Sequence, residues 1–166
     1  GKPVTVKRDL DCGIVGEYTG ANVIGEITGR RHPEQVVAIG GHLDSWDPGT
    51  GAIDDAAGVA IAMAAGKLIH DLPTRPDRTI RVIAFANEEM GLWGGKAYAE
   101  KHARDVKQFQ LGTESDFGAG KIWMMTASVK PEARAAIQQI AQVLAPLGVA
   151  YNTKYPGGGG SDLSQM

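Results

Sequence analysis

One cysteine, Cys12, stands in a chain of 166 residues. That excludes a disulfide framework and any metal site built on several thiolates, and it leaves the redox compartment open. Aromatic residues make up only 6% of the chain. No apolar run approaches the roughly 20 residues needed to cross a bilayer, and no stretch has the pattern of a signal peptide. Charge of one sign is lacking too: 17 basic and 19 acidic residues leave a net charge of −2. Nothing in that balance points to nucleic acid or a membrane surface as partner. Internal repeats and interdomain linkers are absent. What remains is an ordinary globular composition, 43% hydrophobic and 22% charged, at a length that suits one domain, residues 1–166, with a real core. Glycine is abundant, at 23 residues, and gathers at turns. The chain opens on Gly1 and stops at Met166, soon after a glycine run, so the expectation is a piece of a longer protein.

Strands and helices alternate along the chain. Val4–Lys7 alternates and predicts a strand, and Ala21–Ile27 predicts a second. Thr28–Pro33 reads as a hairpin-like connection. Val36–Ile39 is an unbroken apolar run, the pattern of a strand buried on both faces. From Ala56 to Leu72 a helix is expected, with Ile61, Ala65, Leu68 and Leu72 at helical spacing and Ala and Gly positions that let it approach a sheet closely. Pro73 and Pro76 end it. Thr79–Ala86 is a strong strand, and Gly95–Arg104 reads as a helix with an exposed face. Gln108–Leu111 and Lys121–Thr126 predict further strands. A helix opens at Pro131, carrying Ala133, Ile137, Ile140, Leu144 and Leu147, and Val149–Tyr151 is a last short strand. The alternation argues for an α/β layered domain around a largely parallel sheet.

Acidic clusters follow three of these strands: His42 and Asp44 with Asp54 and Asp55, then Glu88-Glu89, then Glu114 and Asp116. If the three strands are parallel neighbours, the clusters converge at one sheet edge, where open α/β folds place their chemistry. So many carboxylates cannot all ionise together without a counter-charge. Two divalent cations would supply it, and histidine with carboxylates suits zinc. Taken singly, each cluster has a plain explanation. Asp54-Asp55 suits a helix N-cap, and Glu88-Glu89 suits a solvated loop end. The shared position after a strand is what those explanations leave out.

Three motifs carry a resemblance: Gly41-His42-Leu43-Asp44-Ser45, Gly51-Ala52-Ile53-Asp54-Asp55-Ala56-Ala57-Gly58 and Ala86-Asn87-Glu88-Glu89-Met90-Gly91-Leu92. In order and spacing they resemble the co-catalytic dizinc exopeptidases, peptidase family M28. The family includes bacterial leucyl aminopeptidases and plasma glutamate carboxypeptidase. Trp46 and Glu114-Ser115-Asp116 look closer to the second branch. The resemblance runs from about Val4 to Asp162. It implies a three-layer α/β/α domain with a central mixed, largely parallel sheet, incomplete at the C-terminus. It implies His42 and Asp116 on one zinc, Asp54 bridging both and Glu89 on the second. Glu88 would be the general base; Asp44 would hold the His42 imidazole, and Asp55 would stand near the bridge. Glu114 competes with Asp116 for the ligand role; the family's Glu-Ser-Asp order favours Asp116. Trp46, Trp93, Tyr155 and the glycine loop at Gly158 would line the substrate pocket.

The same resemblance implies hydrolysis of the N-terminal peptide bond of peptides or dipeptides by a metal-bridged hydroxide, in a secreted or periplasmic protein. The family's second zinc takes a late histidine beyond the glycine-rich segment. His32, His70 and His102 do not stand there and read as surface residues, so the chain itself is expected to bind one zinc better than two and to show little activity. Two rival readings are a single-zinc glutaminyl cyclase-like acyltransferase and a degenerate member that only binds a partner. The sequence leaves side-chain preference and oligomeric state open.

Overall fold

The computed structural model describes residues 2–116, 118, 120–158 and 160–166. A four-stranded mixed sheet is built from β1 (Val23–Ile27), β2 (His32–His42), β3 (Arg78–Phe85) and β4 (Phe109–Glu114), in the order β1-β3-β2-β4. β2 runs parallel to both β3 and β4, and β1 is antiparallel to β3. The apolar runs at 36–39 and 79–86 thus lie side by side at the sheet centre, where a parallel pair must be covered on both faces.

Helix α1 (Ala56–His70) covers one face, against β2 and β3. Helix α2 (Trp93–His102) and the short 3-10 turn Leu163–Gln165 cover the other. There Ala38, Ile83, Phe85, Tyr98 and Leu163 form the buried core, with the Phe85 and Tyr98 rings edge to face at 5.7 Å. Helix, sheet and helix make the three layers the resemblance implies. A two-stranded parallel ladder, β5 (Met124–Met125) with β6 (Ala150–Tyr151), lies beside α3 (Arg134–Leu144).

The structure corrects four expectations. Val4–Lys7 forms no strand; it has no pairing partner among the described residues, and its valines are exposed. Thr28–Pro33 is not a hairpin turn, because β3 inserts between β1 and β2. His102 is not an exposed helix residue: its ring stacks on Tyr98 at 4.4 Å, and burial lowers its pKa. The apolar spacing expected to face the sheet from α1 does not. Ile61 and Leu68 are exposed, as is Leu72 beyond the helix end, while Gly58, Ala62 and Gly66 form the buried stripe. The reason is close approach. A Cβ at Gly41 of β2 would meet Val59 N at 3.0 Å, and one at Gly66 would meet a Val82 methyl at 2.8 Å. Only the small-residue face fits that gap.

Candidate metal centre

The C-terminal ends of β3, β2 and β4 deliver three loops to one edge. His42 is the last residue of β2 and is 2% exposed. Its main-chain N–H donates to Asp55 Oδ2 at 2.9 Å, and the other Asp55 oxygen accepts the Gly58 N–H at 3.1 Å. Asp55 is therefore both the N-cap of α1 and the brace under His42. It is itself buried, which pushes its carboxyl up against the opposing pull of its N–H donors and His42.

The imidazole is oriented from one side and open on the other. Nδ1 lies 3.0 Å from the Asp44 main-chain oxygen and 3.6 Å from Asp44 Oδ1. A carbonyl only accepts, so Nδ1 carries a hydrogen and Nε2 is the atom left for an ion. Facing Nε2 are Asp54 Oδ1 at 3.1 Å and Asp116 Oδ1 at 3.4 Å. Three acceptors turned toward one point need a cation or a proton between them. A small ion with tetrahedral bonds of about 2 Å sets its donors roughly 3.3 Å apart, close to the separations seen here. Ligand atoms of His42, Asp54 and Asp116 all lie within 4.8 Å of one another. Burial lowers the His42 pKa, but the charges of Asp116, Asp55, Glu88 and Asp44 offset it, and the balance is a raised value.

Glu88 and Glu89 follow β3. The turn enters through Asn87 at φ 64°, a left-handed conformation that asparagine tolerates better than most side chains. The Asp44 carboxylate holds the turn, accepting from Glu88 N at 2.8 Å and Glu89 N at 3.1 Å. Glu89 Oε1 is buried with no hydrogen-bond partner among the described residues. Desolvation, then the charges of Asp54 and Glu88, push its carboxyl up. A buried carboxylate oxygen left unpaired beside other carboxylates is a position a second cation would satisfy.

Glu114 and Asp116 part company. Glu114 turns away and accepts from Asp162 N at 3.2 Å and Leu163 N at 2.7 Å, capping the final turn. Burial pushes it up to about 7. Asp116 points to His42. The acid that sequence spacing overlooks is Asp162, 2% exposed, whose Oδ1 accepts from Gly95 N at the start of α2 at 2.9 Å. Ser161 was equally unremarked, though its hydroxyl donates to Asp116 Oδ2 at 3.2 Å. Trp46, Trp93, Tyr155 and Gly158 are all exposed, and Gly159 of the same loop lies outside the described residues. An apolar cavity lined by Val106, Phe109, Leu111, Leu163 and Met166 lies beside β4 and includes none of the site residues.

The Peptidase family M28 model matches residues 22–165. Carboxypeptidase Q of Homo sapiens is 38% identical over 164 residues, 99% of this chain and 34% of its own length. That of Xenopus laevis is 43% identical over 128 residues, 77% of this chain and 27% of its own. The chain thus spans about a third of the length of the curated relatives it matches. The crystal structure of a peptidase M28 precursor from Shewanella amazonensis superposes with a TM-score of 0.81 at 49% identity, covering 86% of this chain and 32% of that one. BSAP, a zinc aminopeptidase from Bacillus subtilis, shares the fold at a TM-score of 0.66 and 22% identity, over 87% of this chain and 36% of its own. With the family model matched from β1 to the final turn, and a relative alike across nearly all its residues, the chain belongs to peptidase family M28.

Proposed function

We propose that the chain is the metal-binding part of a zinc-dependent exopeptidase acting on peptides or dipeptides. One observation carries the reading: His42 Nε2 faces Asp54 and Asp116, while Glu89 keeps a buried oxygen with no partner among the described residues. His42, Asp54 and Asp116 would hold one zinc, and Asp54 and Glu89 would hold a second. When bound there, zinc polarises a carbonyl and lowers the pKa of water. Glu88 would take a proton from the attacking water and return it to the leaving amine. Its side chain is free for that task because Asp44 holds the turn by the main chain, not by the Glu88 carboxylate. Asp55 and Asp44 keep His42 in one tautomer and one place. Exposed Trp46, Tyr155 and Gly158 are available to a peptide as residues packed into a core would not be.

The donor set of one histidine and several carboxylates favours two ions over the single-zinc acyltransferase reading. Retention of His42, Asp54, Glu88, Glu89 and Asp116 favours catalysis over a binding-only role. No helix of the described residues is long and apolar enough to cross a membrane. Export of the full-length protein, which the family resemblance implies, belongs to the same proposal. The test is metal analysis of the full-length protein together with hydrolysis of leucyl and dipeptide substrates. Two zinc ions per chain and chelator-sensitive cleavage are expected; a protein that binds no zinc, or cleaves unchanged after chelation, overturns the reading.

A further inference from the structure

The glycine-rich segment after β6 ends in Ser161-Asp162-Leu163, and these three residues are tied to three different parts of the fold. Leu163 is in the core against Phe85 and Tyr98. Asp162 is buried, and its carboxylate accepts from Gly95 N at the start of α2. The contact is tight: a Cβ on Gly95 would stand 2.5 Å from Asp162 Oδ1 and 2.8 Å from its Cα. Glu114 holds the main-chain N–H groups of Asp162 and Leu163. Residue 161 is therefore fixed from its C-terminal side by two buried carboxylates. Among the described residues its hydroxyl has one acceptor within reach, Asp116 Oδ2 at 3.2 Å, across 45 residues of sequence. Asp116 Oδ1, the other oxygen, is the one that faces His42 Nε2.

We propose that Ser161 is a positioning residue for the metal site: by donating to Asp116 Oδ2 it fixes the carboxylate rotamer that leaves Oδ1 directed at the ion position beside His42. The inference rests on the reading of His42, Asp54 and Asp116 as zinc ligands. A carboxylate without this donor rotates about its last torsion, a broad and soft one, and presents either oxygen or both. Asp162, Glu114 and Gly95 serve the same end by holding residue 161 still. The ligand on β4 is thus set by a segment far along the chain, much as Asp55 sets His42 and Asp44 sets the Glu88-Glu89 turn.

The experiment measures the zinc dissociation constant in the full-length protein by competition with a chromophoric chelator, with metal-free melting as a fold control. Partners that orient metal ligands typically contribute about 10–100-fold in affinity. Ser161→Ala is expected to weaken zinc by that factor, and Ser161→Thr, which keeps the hydroxyl, to restore it. In an Asp116→Ala background Ser161→Ala should add no further loss. Should Ser161→Ala unfold, Ser161→Gly replaces it in the cycle, since it too removes the hydroxyl and adds no metal ligand. Unchanged affinity in Ser161→Ala, or an equal loss with Asp116 already removed, overturns the positioning role alone. A wild-type protein that binds no zinc overturns both this role and the reading beneath it.

Discussion

Asp44 and Glu88 are joined through the main chain: Asp44 Oδ1 accepts the Glu88 N–H at 2.8 Å. With its second oxygen on Glu89 N, one carboxylate from the loop after β2 sets the turn after β3. Hydrogen bonds to a charged acceptor are worth about 1.5–3 kcal/mol each. Asp44→Ala removes both and is therefore expected to destabilise the protein by about 3–6 kcal/mol and to lower hydrolysis at least tenfold. Denaturant melts and steady-state kinetics on one preparation measure both. A variant with wild-type kinetics would show that the turn keeps its place without Asp44.

Glu88 and Glu89 are adjacent in sequence, and the proposed function gives them different tasks. Glu88→Ala should leave zinc bound and reduce kcat by about 100- to 10,000-fold, the range of a lost general base. Glu89→Ala should instead release zinc. Zinc content after desalting, read beside kcat, separates the two. If Glu88→Ala loses metal, Glu88 is a ligand and the assignment must be exchanged.

On the proposed reading, residues 1–166 offer three donors to the first ion and two, Asp54 and Glu89, to the second. Calorimetric titration of this chain with zinc should show one tight event and a second at least tenfold weaker. Two equal tight sites would mean that a further ligand for the second ion already lies within these residues.

Acid groups near the final turn give the metal-free protein an uncommon pH profile. Burial pushes Glu114 up to about 7 and Asp162 up to about 6. In an unfolded chain both titrate near about 4. Between those values the folded protein binds more protons than the unfolded one, so stability falls as pH rises from about 4 through about 7. Asp71 and Asp77, which Lys67 and Arg31 hold below the usual carboxylate range, act only at lower pH. The metal-free Tm should drop by several degrees between pH 5 and pH 8. A Tm that rises across this window would show that these two carboxyls ionise freely in the fold.

Gly58 tests the close contact under the site. A Cβ there would overlap the Ser115 carbonyl oxygen and the Asp55 carboxylate. Alanine gains about 1 kcal/mol in helix propensity over glycine, but forced overpacking costs about 1–3 kcal/mol and more where backbone is struck. The clash wins, and Gly58→Ala should lower stability by about 2 kcal/mol or more. A stabilised variant would refute the contact.

The sheet centre and the meeting of the three acidic loops were legible in the sequence, because apolar runs that end in acids carry both strand and direction. The face of α1 was not. Helical spacing of Ile61, Leu68 and Leu72 marks an apolar stripe, but the sheet selects the stripe that fits, and the close approaches at Gly41 and Val82 favour Gly58, Ala62 and Gly66. The first residues misled by local alternation, since Val4–Lys7 has the pattern of a strand and nothing to pair with. Ser161 was invisible for another reason. A serine after a glycine run looks like a turn residue, and its partner Asp116 is too distant in sequence for any local rule to connect them.

The pairing of β2 with its two neighbours has one more consequence. Gly41 stands opposite Ala84 and His42 opposite Phe85, while Gly40 stands opposite Glu114. A slip of one residue along β2 reverses which side chains face which layer, and it would carry His42 away from Asp116. Only the native alignment assembles the donors, so an ion that binds them stabilises that alignment and no misaligned one. On the proposed reading, metal would then act as a proofreader of folding as well as an instrument of chemistry: chains that pair their strands wrongly could not hold it.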